Sequence, residues 1–160
     1  MSKNNPKILS RPHLKKKIRT ASQKGQKIVF TNGCFDLLHV GHVRLLKKAK
    51  SLGHILIVAV NSDASVKKLK GKGRPIVPLK ERMELLSALG DVDYVVSFSE
   101  DTPLEIIQEL TPSILVKGGD YKIKDIVGAR HIQTRGGKVC VFPFVRGQST
   151  SFLLERLKSV

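Results

Sequence analysis

The run Ile55–Val60 (ILIVAV) sets six apolar residues in a row without polar alternation. A strand with one wet face alternates, whereas an unbroken apolar run of this length fits a strand covered on both faces, as in parallel sheets flanked by helices. The neighbouring segments follow the same plan. Lys27–Thr31 (KIVFT) is a β-branched run that ends in Asn-Gly, and Gly41–Leu52 carries Val43, Leu45, Leu46 and Ala49 at helical spacing with Gly53 as a stop. Tyr94–Phe98, Ser113–Val116 and Lys138–Phe142 read as three further strands, and Ala64–Leu69, Lys80–Leu89, Pro103–Leu110 and Ser151–Leu157 as helices. Thr102-Pro103-Leu104-Glu105 has the residue types of a capping box, and the breakers of Gly71–Pro78 (GKGRPIVP) predict a loop. The alternation predicts an α/β domain with a doubly wound, mainly parallel five-stranded sheet, helices on both faces and right-handed crossovers. Ligands of such folds sit beyond the carboxyl ends of the strands, which directs attention to the loops after Thr31, Val60, Val116 and Phe142.

With 160 residues, 41% of them hydrophobic, the chain can bury a core without covalent staples, which excludes a disulfide scaffold or a disordered tail as its main character. Cys34 and Cys140 are far apart, and the N-terminal sequence MSKNNPKILSRPHLKKK has basic residues but no apolar signal region. A reduced, cytoplasmic protein is expected. No apolar run approaches the roughly 18 residues that a membrane span needs, so no membrane partner is expected. The 29 Lys and Arg outnumber the 13 Asp and Glu, for a net charge of +16. The charge is clustered: Met1–Lys27 has nine basic residues and no acid, and Lys67, Lys68, Lys70, Lys72 and Arg74 form a second group. Residues 1–26 read as a basic N-terminal arm or helix ahead of a domain over 27–160. Both clusters favour anionic partners, and charge alone leaves nucleic acid, phosphorylated metabolites and solubility open. The low aromatic content of 5%, the lack of Trp and the lack of zinc-finger spacing argue against a nucleic-acid-binding module.

After the first strand comes TNGCFDLLHVGH, Thr31 to His42, with His39 and His42 where the next helix begins. A helix start has unpaired N–H groups and partial positive charge, and Gly41 lets a ligand approach the backbone. Two imidazoles added there can donate to phosphate oxygens, an arrangement suited to a nucleoside triphosphate attacked at its α-phosphorus. The ordinary alternative is a cap or surface role for each histidine. A zinc site of Cys34, His39 and His42 is disfavoured because no second ligand pair has suitable spacing, and no protein-held metal is expected.

GCFDLLHVGH resembles the G-x-F-D-x-x-H-x-G-H motif of the nucleotidyltransferase superfamily that includes cytidylyltransferases and pantetheine-phosphate adenylyltransferase. RGQSTS, Arg146 to Ser151, is similar to that superfamily's Ser-Thr-Thr element, with Ser151 in the third position. Within the superfamily, most of Ile28–Leu157 resembles the sugar-phosphate adenylyltransferases that make ADP-heptose, notably in LIVAVNSDASVKKLKGKGRPIVPLKERMELLSAL, VDYVVSFSEDTP, LVKGGDY and GGKVCVFP. The resemblance implies a Rossmann-like fold, and transfer of AMP from ATP to D-glycero-β-D-manno-heptose 1-phosphate, with release of pyrophosphate, for lipopolysaccharide or surface glycans. It also implies Mg2+ held mainly by the ATP phosphates, and often a homo-oligomer. Alternatives within the superfamily are a cytidylyltransferase acting on glycerol 3-phosphate or a related alcohol phosphate, and a flavin adenylyltransferase.

By the same resemblance His39 and His42 hold the ATP phosphates and stabilise the transition state, while Thr31, Asn32, Gly33, Cys34 and Phe35 form the nucleotide loop and Asp36 faces substrate. Lys47, about one turn inside the helix, reaches the phosphates or is simply solvated. Asn61 and Asp63 bind sugar hydroxyls, or Ser62 or Asp63 caps the next helix. Lys70, Lys72 and Arg74 fold over polyphosphate or belong to a merely solvated loop. Arg82 binds phosphate or pairs with Glu81 or Glu84. Lys117, Gly118, Gly119 and Asp120 form a glycine-bearing turn that packs against adenine or serves only as a tight turn, and Ser149 and Thr150 provide a second anion site or an N-cap.

Overall fold

The computed structural model describes residues 5–143. Its elements in chain order are α1 (Arg11–Gln23), β1 (Ile28–Gly33), α2 (Val40–Lys50), β2 (Ile55–Asn61), α3 (Asp63–Lys70), α4 (Leu79–Ala88), β3 (Tyr94–Phe98), α5 (Leu104–Leu110), β4 (Ile114–Gly118), a 3-10 turn (Ile123–Asp125), α6 (Ala129–Gln133) and β5 (Lys138–Phe142). The five strands form one sheet in the order β3-β2-β1-β4-β5, and every pairing is parallel. Thr31 of β1 lies opposite Val58 on one side and Val116 on the other, so the central strand ends level with its neighbours.

The sheet is covered on both faces, as the ILIVAV run requires: Leu56–Val60 are fully buried. On one face Phe30, Ile57 and Leu115 pack with Leu14 and Ile18 of α1, Ile106 and Ile107 of α5 and Ile132 of α6. On the other, Val29, Leu56, Val58 and Val116 pack with Leu46 and Ala49 of α2 and with Met83 and Leu86 of α4. Each large aliphatic side chain so buried stabilises the fold by about 1.5–3 kcal/mol relative to exposure, before entropy is counted.

Three local differences from the sequence reading have physical causes. Of the arm or helix expected over 1–26 the structure has a helix, Arg11–Gln23, and it does not merely precede the domain: Leu14, Ile18 and Ala21 form an i, i+4, i+7 stripe that enters the core while the lysines face water. Lys7 and Leu9 also bond across to Val95, and Arg11 pairs with Glu100. The capping box at Thr102–Glu105 does not form, because α5 starts one residue later, at Leu104. Pro103 then takes the cap position and the Leu104 N–H reaches Thr102 Oγ1 only at 3.5 Å. The short α6 was not anticipated. It starts from Gly128, whose φ of +87° places it in the left-handed region while Ile107 closes on the space a Cβ would occupy. The expected helix over Ser151–Leu157 lies outside the described residues, and among those described no helix is long and apolar enough to cross a membrane.

Candidate active site at the carboxyl ends of the strands

A cavity of about 990 Å3 opens where the strands end: Asn32 and Gly33 of β1, Asn61 of β2, Lys117 and Gly118 of β4 and Phe142 of β5 all line it. α2 starts at this cavity. His39 is its N-cap residue, in extended conformation, and its backbone N–H donates to His42 Nδ1 at 3.4 Å. The acceptor role of Nδ1 leaves the His42 proton on Nε2. The two imidazole centroids are 3.9 Å apart, and the Phe35 ring stands 5.1 Å from that of His42. Burial pushes the His42 pKa down to about 4, with His39 beside it adding to the shift, and burial also lowers that of His39. Both rings are therefore neutral at neutral pH, and among the described residues His39 Nδ1 is buried without a hydrogen-bond partner.

The turn that carries the motif is tightly built. Phe35 adopts a left-handed φ of 48°, unusual for an aromatic residue, and its ring lies so close to Gly33 that a Cβ there would stand 3.1 Å from it. Lys117 projects into the cavity from the end of β4, with Nζ 3.4 Å from Asn32 Oδ1 and 5.9 Å from the Tyr121 ring centre. Burial lowers its pKa. Burial raises that of the neighbouring Cys34 thiol, although Lys70, Arg82 and Lys117 oppose the shift. On α2, Arg44, Lys47 and Lys48 face the same cavity, and Lys48 Nζ lies 5.5 Å from the Phe142 ring centre. Spacings of three and four residues put these three cations on one helix face.

The loop between α3 and α4 is bound to the motif turn by a buried network. Asp36 accepts from Arg74 Nε at 2.5 Å and from the Ile76 and Val77 N–H groups at 2.8 and 2.9 Å. Arg82 donates from Nε to the Val77 carbonyl, from one terminal nitrogen to the Cys34 carbonyl and from the other to Asp63 Oδ1. Ser62 Oγ, not Asp63, caps α3 by accepting from Ser65 N–H, and Asn61 Nδ2 donates to Ser65 Oγ.

The structure thus brings Asn32, Gly33, Cys34, Phe35, Asp36, His39, Gly41, His42, Lys47, Asn61, Lys70, Arg74, Lys117 and Gly118 onto one cavity wall. It places Thr31, Asp63, Lys72, Arg82, Gly119 and Asp120 off that wall. Thr31 is buried inside β1, and Lys72 points to solvent at the exposed tip of its loop. Arg82 is fully buried, and its ion-pair partner is Asp63, which corrects the pairing expected with Glu81 or Glu84. Ser149 and Thr150 lie outside the described residues. Sequence reasoning missed Arg44, Lys48 and Asp101, which also line the cavity, as do Tyr121 and Phe142. The shared spacing with Lys47 was a legible signal for the first two. Among the described residues no group of three His, Cys, Asp or Glu side chains is placed to hold a metal ion.

Together the fold and this site define a Rossmann-like α/β domain of the nucleotidyltransferase type, with the cavity at the topological position expected for a nucleotide. The chain belongs to the cytidylyltransferase-like family, whose family model matches residues 30–152. It is 56% identical over 149 residues to the bifunctional protein HldE of Marinomonas sp. (strain MWYL1), covering 93% of this chain and 31% of that protein. To the bifunctional protein HldE of Proteus mirabilis it is 52% identical, covering 94% of this chain and 32% of the relative. The chain spans about a third of the length of these curated relatives. Among solved structures, a lipopolysaccharide core biosynthesis protein from Thermoplasma volcanium superposes with a TM-score of 0.61 at 29% identity, over 76% of this chain and 98% of that one. Pantoate-beta-alanine ligase from Francisella tularensis, solved in complex with beta-gamma ATP and beta-alanine, shares the fold with a TM-score of 0.64 at 21% identity, over 96% of this chain and 72% of that one.

Proposed function

We propose that this domain transfers AMP from ATP to D-glycero-β-D-manno-heptose 1-phosphate, giving ADP-heptose and pyrophosphate. The observation that carries the reading is the pair of neutral imidazoles, tilted 32° to each other with centroids 3.9 Å apart, at the start of α2 on the wall of a cavity rich in Lys and Arg. Neutral histidines donate N–H bonds without placing fixed charge against the ligand, and they can strengthen those bonds as negative charge grows on the phosphoryl oxygens. The acceptor is supported by the segment-by-segment resemblance to ADP-heptose-forming enzymes and by the relative described as a lipopolysaccharide core biosynthesis protein.

In the proposed reaction a phosphate oxygen of the sugar phosphate attacks the α-phosphorus of ATP. The bond from that phosphorus to the α,β-bridging oxygen breaks, and pyrophosphate leaves with the electron pair. The nucleophile is already anionic, so the protein needs no general base and contributes alignment and charge stabilisation. His42 Nε2–H and the His39 ring face the phosphoryl group, Arg44, Lys47 and Lys48 receive the polyphosphate, and Lys117 stands at the β4 end of the same wall. Both oxygens of Asp36 are already engaged and Asp63 is tied to Arg82, so the described carboxylates do not form a cage for a divalent cation. Magnesium is proposed to enter as part of the MgATP substrate, with phosphate oxygens and water as its ligands.

Pyrophosphate release tests the reading, with ATP or CTP as donor crossed against heptose 1-phosphate or glycerol 3-phosphate as acceptor. Release with ATP and the heptose phosphate is expected. Release with CTP and glycerol 3-phosphate alone would replace both substrates while keeping the chemistry.

A further inference from the structure

We infer that Asp36 and Arg82 are positioning residues that never touch substrate, and that they fix Arg74 as the guanidinium fork that receives the acceptor's phosphate. The inference rests on the reading above in that a phosphate-bearing acceptor enters this cavity. It departs from what the sequence suggested, namely that all three residues bind substrate side by side.

The geometry separates them. Asp36 is 2% exposed, and its carboxylate is fully engaged by three donors that all belong to the α3–α4 loop: Arg74 Nε, Ile76 N–H and Val77 N–H. Arg82 is 0% exposed and holds the same loop from beneath through the Val77 carbonyl, while tying it to the motif turn through the Cys34 carbonyl and to α3 through Asp63. Arg82 lies off the cavity wall, and Asp36 borders it with both carboxylate oxygens already bonded to the loop. Arg74 lines the cavity with donors to spare: among the described residues Nε is its only side-chain nitrogen with a hydrogen-bond partner. Its two terminal nitrogens are left as a planar pair of donors, which matches two oxygens of a phosphate monoester.

The other loop cations differ in kind. Lys70 and Lys72 flank Gly71 and Gly73, both at positive φ, and a Cβ added at either glycine would meet nothing within 4 Å. This half of the loop is unpacked, so its lysines pay ordering entropy when they engage a ligand. Arg74 is already held in place. It enters from the loop that leaves α3, on the side of Asn61 and β2, whereas the histidines and the α2 cations come from the element after β1. That division assigns Arg74 to the acceptor and the α2 face to the triphosphate.

A double-mutant cycle on Asp36→Asn and Arg74→Gln tests the inference. The asparagine keeps the shape of the aspartate but replaces the charge and can turn an amide N–H toward Arg74 Nε. Each single variant is expected to raise the KM for the heptose phosphate about tenfold or more, the scale of one lost charge-assisted bond, with ATP affinity nearly unchanged. Asp36→Asn added to Arg74→Gln is expected to raise KM by less than about twofold more, because the partner it positions is already gone. Fully multiplicative effects, or a loss in ATP affinity in place of acceptor affinity, would overturn the assignment.

Two readouts do not depend on turnover, and so separate failure of this inference from failure of the proposed reaction. Limited trypsin digestion reads the loop directly: Asp36→Asn and Arg82→Lys are expected to speed cleavage after Lys70 and Lys72, with thermal unfolding confirming that each variant is folded. Unchanged cleavage in the folded Asp36→Asn variant would remove the tether. Titration of inorganic phosphate into the wild-type chain and the same variants reads the fork, and is expected to weaken alike in Asp36→Asn and Arg74→Gln; equal binding in all three would contradict it.

Discussion

The motif turn and the α3–α4 loop meet at the same cavity but are built on opposite principles. The turn from Asn32 to His42 is assembled in advance, with a left-handed Phe35, a ring packed on Gly33, adjacent imidazoles and a helix start. The loop is assembled by halves. Its Arg74–Val77 end is bonded to Asp36 and Arg82, while Lys70–Gly73 has two positive-φ glycines in open space and exposed lysines. The difference teaches where each part of the binding free energy is spent. Preorganised donors lower the barrier because they need no rearrangement as charge develops, whereas an unpacked cationic segment can close after a ligand enters and exclude water.

The sharpest way to break this contrast is to remove a half-buried cation from the prebuilt side. Lys117→Met preserves length and apolar packing but removes the charge beside Asn32, and is expected to slow turnover by about 10–100-fold, in keeping with one lost charged hydrogen-bonding group in a low-dielectric site. A steady-state assay with saturating substrates checks it; a change within threefold would mean that Lys117 only fills space.

The unpacked half predicts smaller and graded effects. Lys70→Ala, which alters the cavity wall, is expected to raise the KM for MgATP or acceptor by a few-fold, since an exposed lysine contributes only about 1 kcal/mol or less. Lys72→Ala, off the wall, is expected to leave both KM values within about twofold by the same reasoning. Equal and large effects of both would show that the loop closes much further than its tied end suggests.

A quieter signature lies in the pH dependence of stability. His42 titrates near 4 in the folded chain and near its ordinary 6.5 when unfolded, so between those values the unfolded chain binds more protons. The stability associated with this burial is complete above about pH 6.5, declines as pH falls and levels off near 4. His42→Gln is expected to flatten that part of the curve. Chemical denaturation at several pH values checks the slope, and an identical slope in the variant would mean that the ring is not held neutral by burial.

Much of this architecture was legible because it rests on local pattern. The unbroken ILIVAV run announced a strand covered on both faces, and the loops at the strand ends proved to carry the cavity. The histidine pair was readable from its spacing at a helix start. What could not be read were the long-range partnerships. Arg82 is an isolated arginine in a polar helical stretch, and nothing local shows that it reaches Cys34 and Asp63 from beneath the loop. Asp36 stands inside the motif and so looked like a substrate ligand, yet its three partners lie some forty residues further along the chain. The basic count of the N-terminal segment similarly masked Leu14 and Ile18, whose spacing fits them to the core. A sequence shows which residue types are present; burial decides whether they face ligand or fold.

The central claim is that the adjacent, neutral histidine pair carries AMP transfer, and the most direct measurement is single-turnover formation of ADP-heptose from MgATP and heptose 1-phosphate in the wild-type chain, His39→Ala and His42→Ala. The account predicts that each substitution slows the chemical step by about 10²–10³, the usual scale for one preorganised donor, without a matching loss of ATP binding. A loss below threefold in both variants would contradict it.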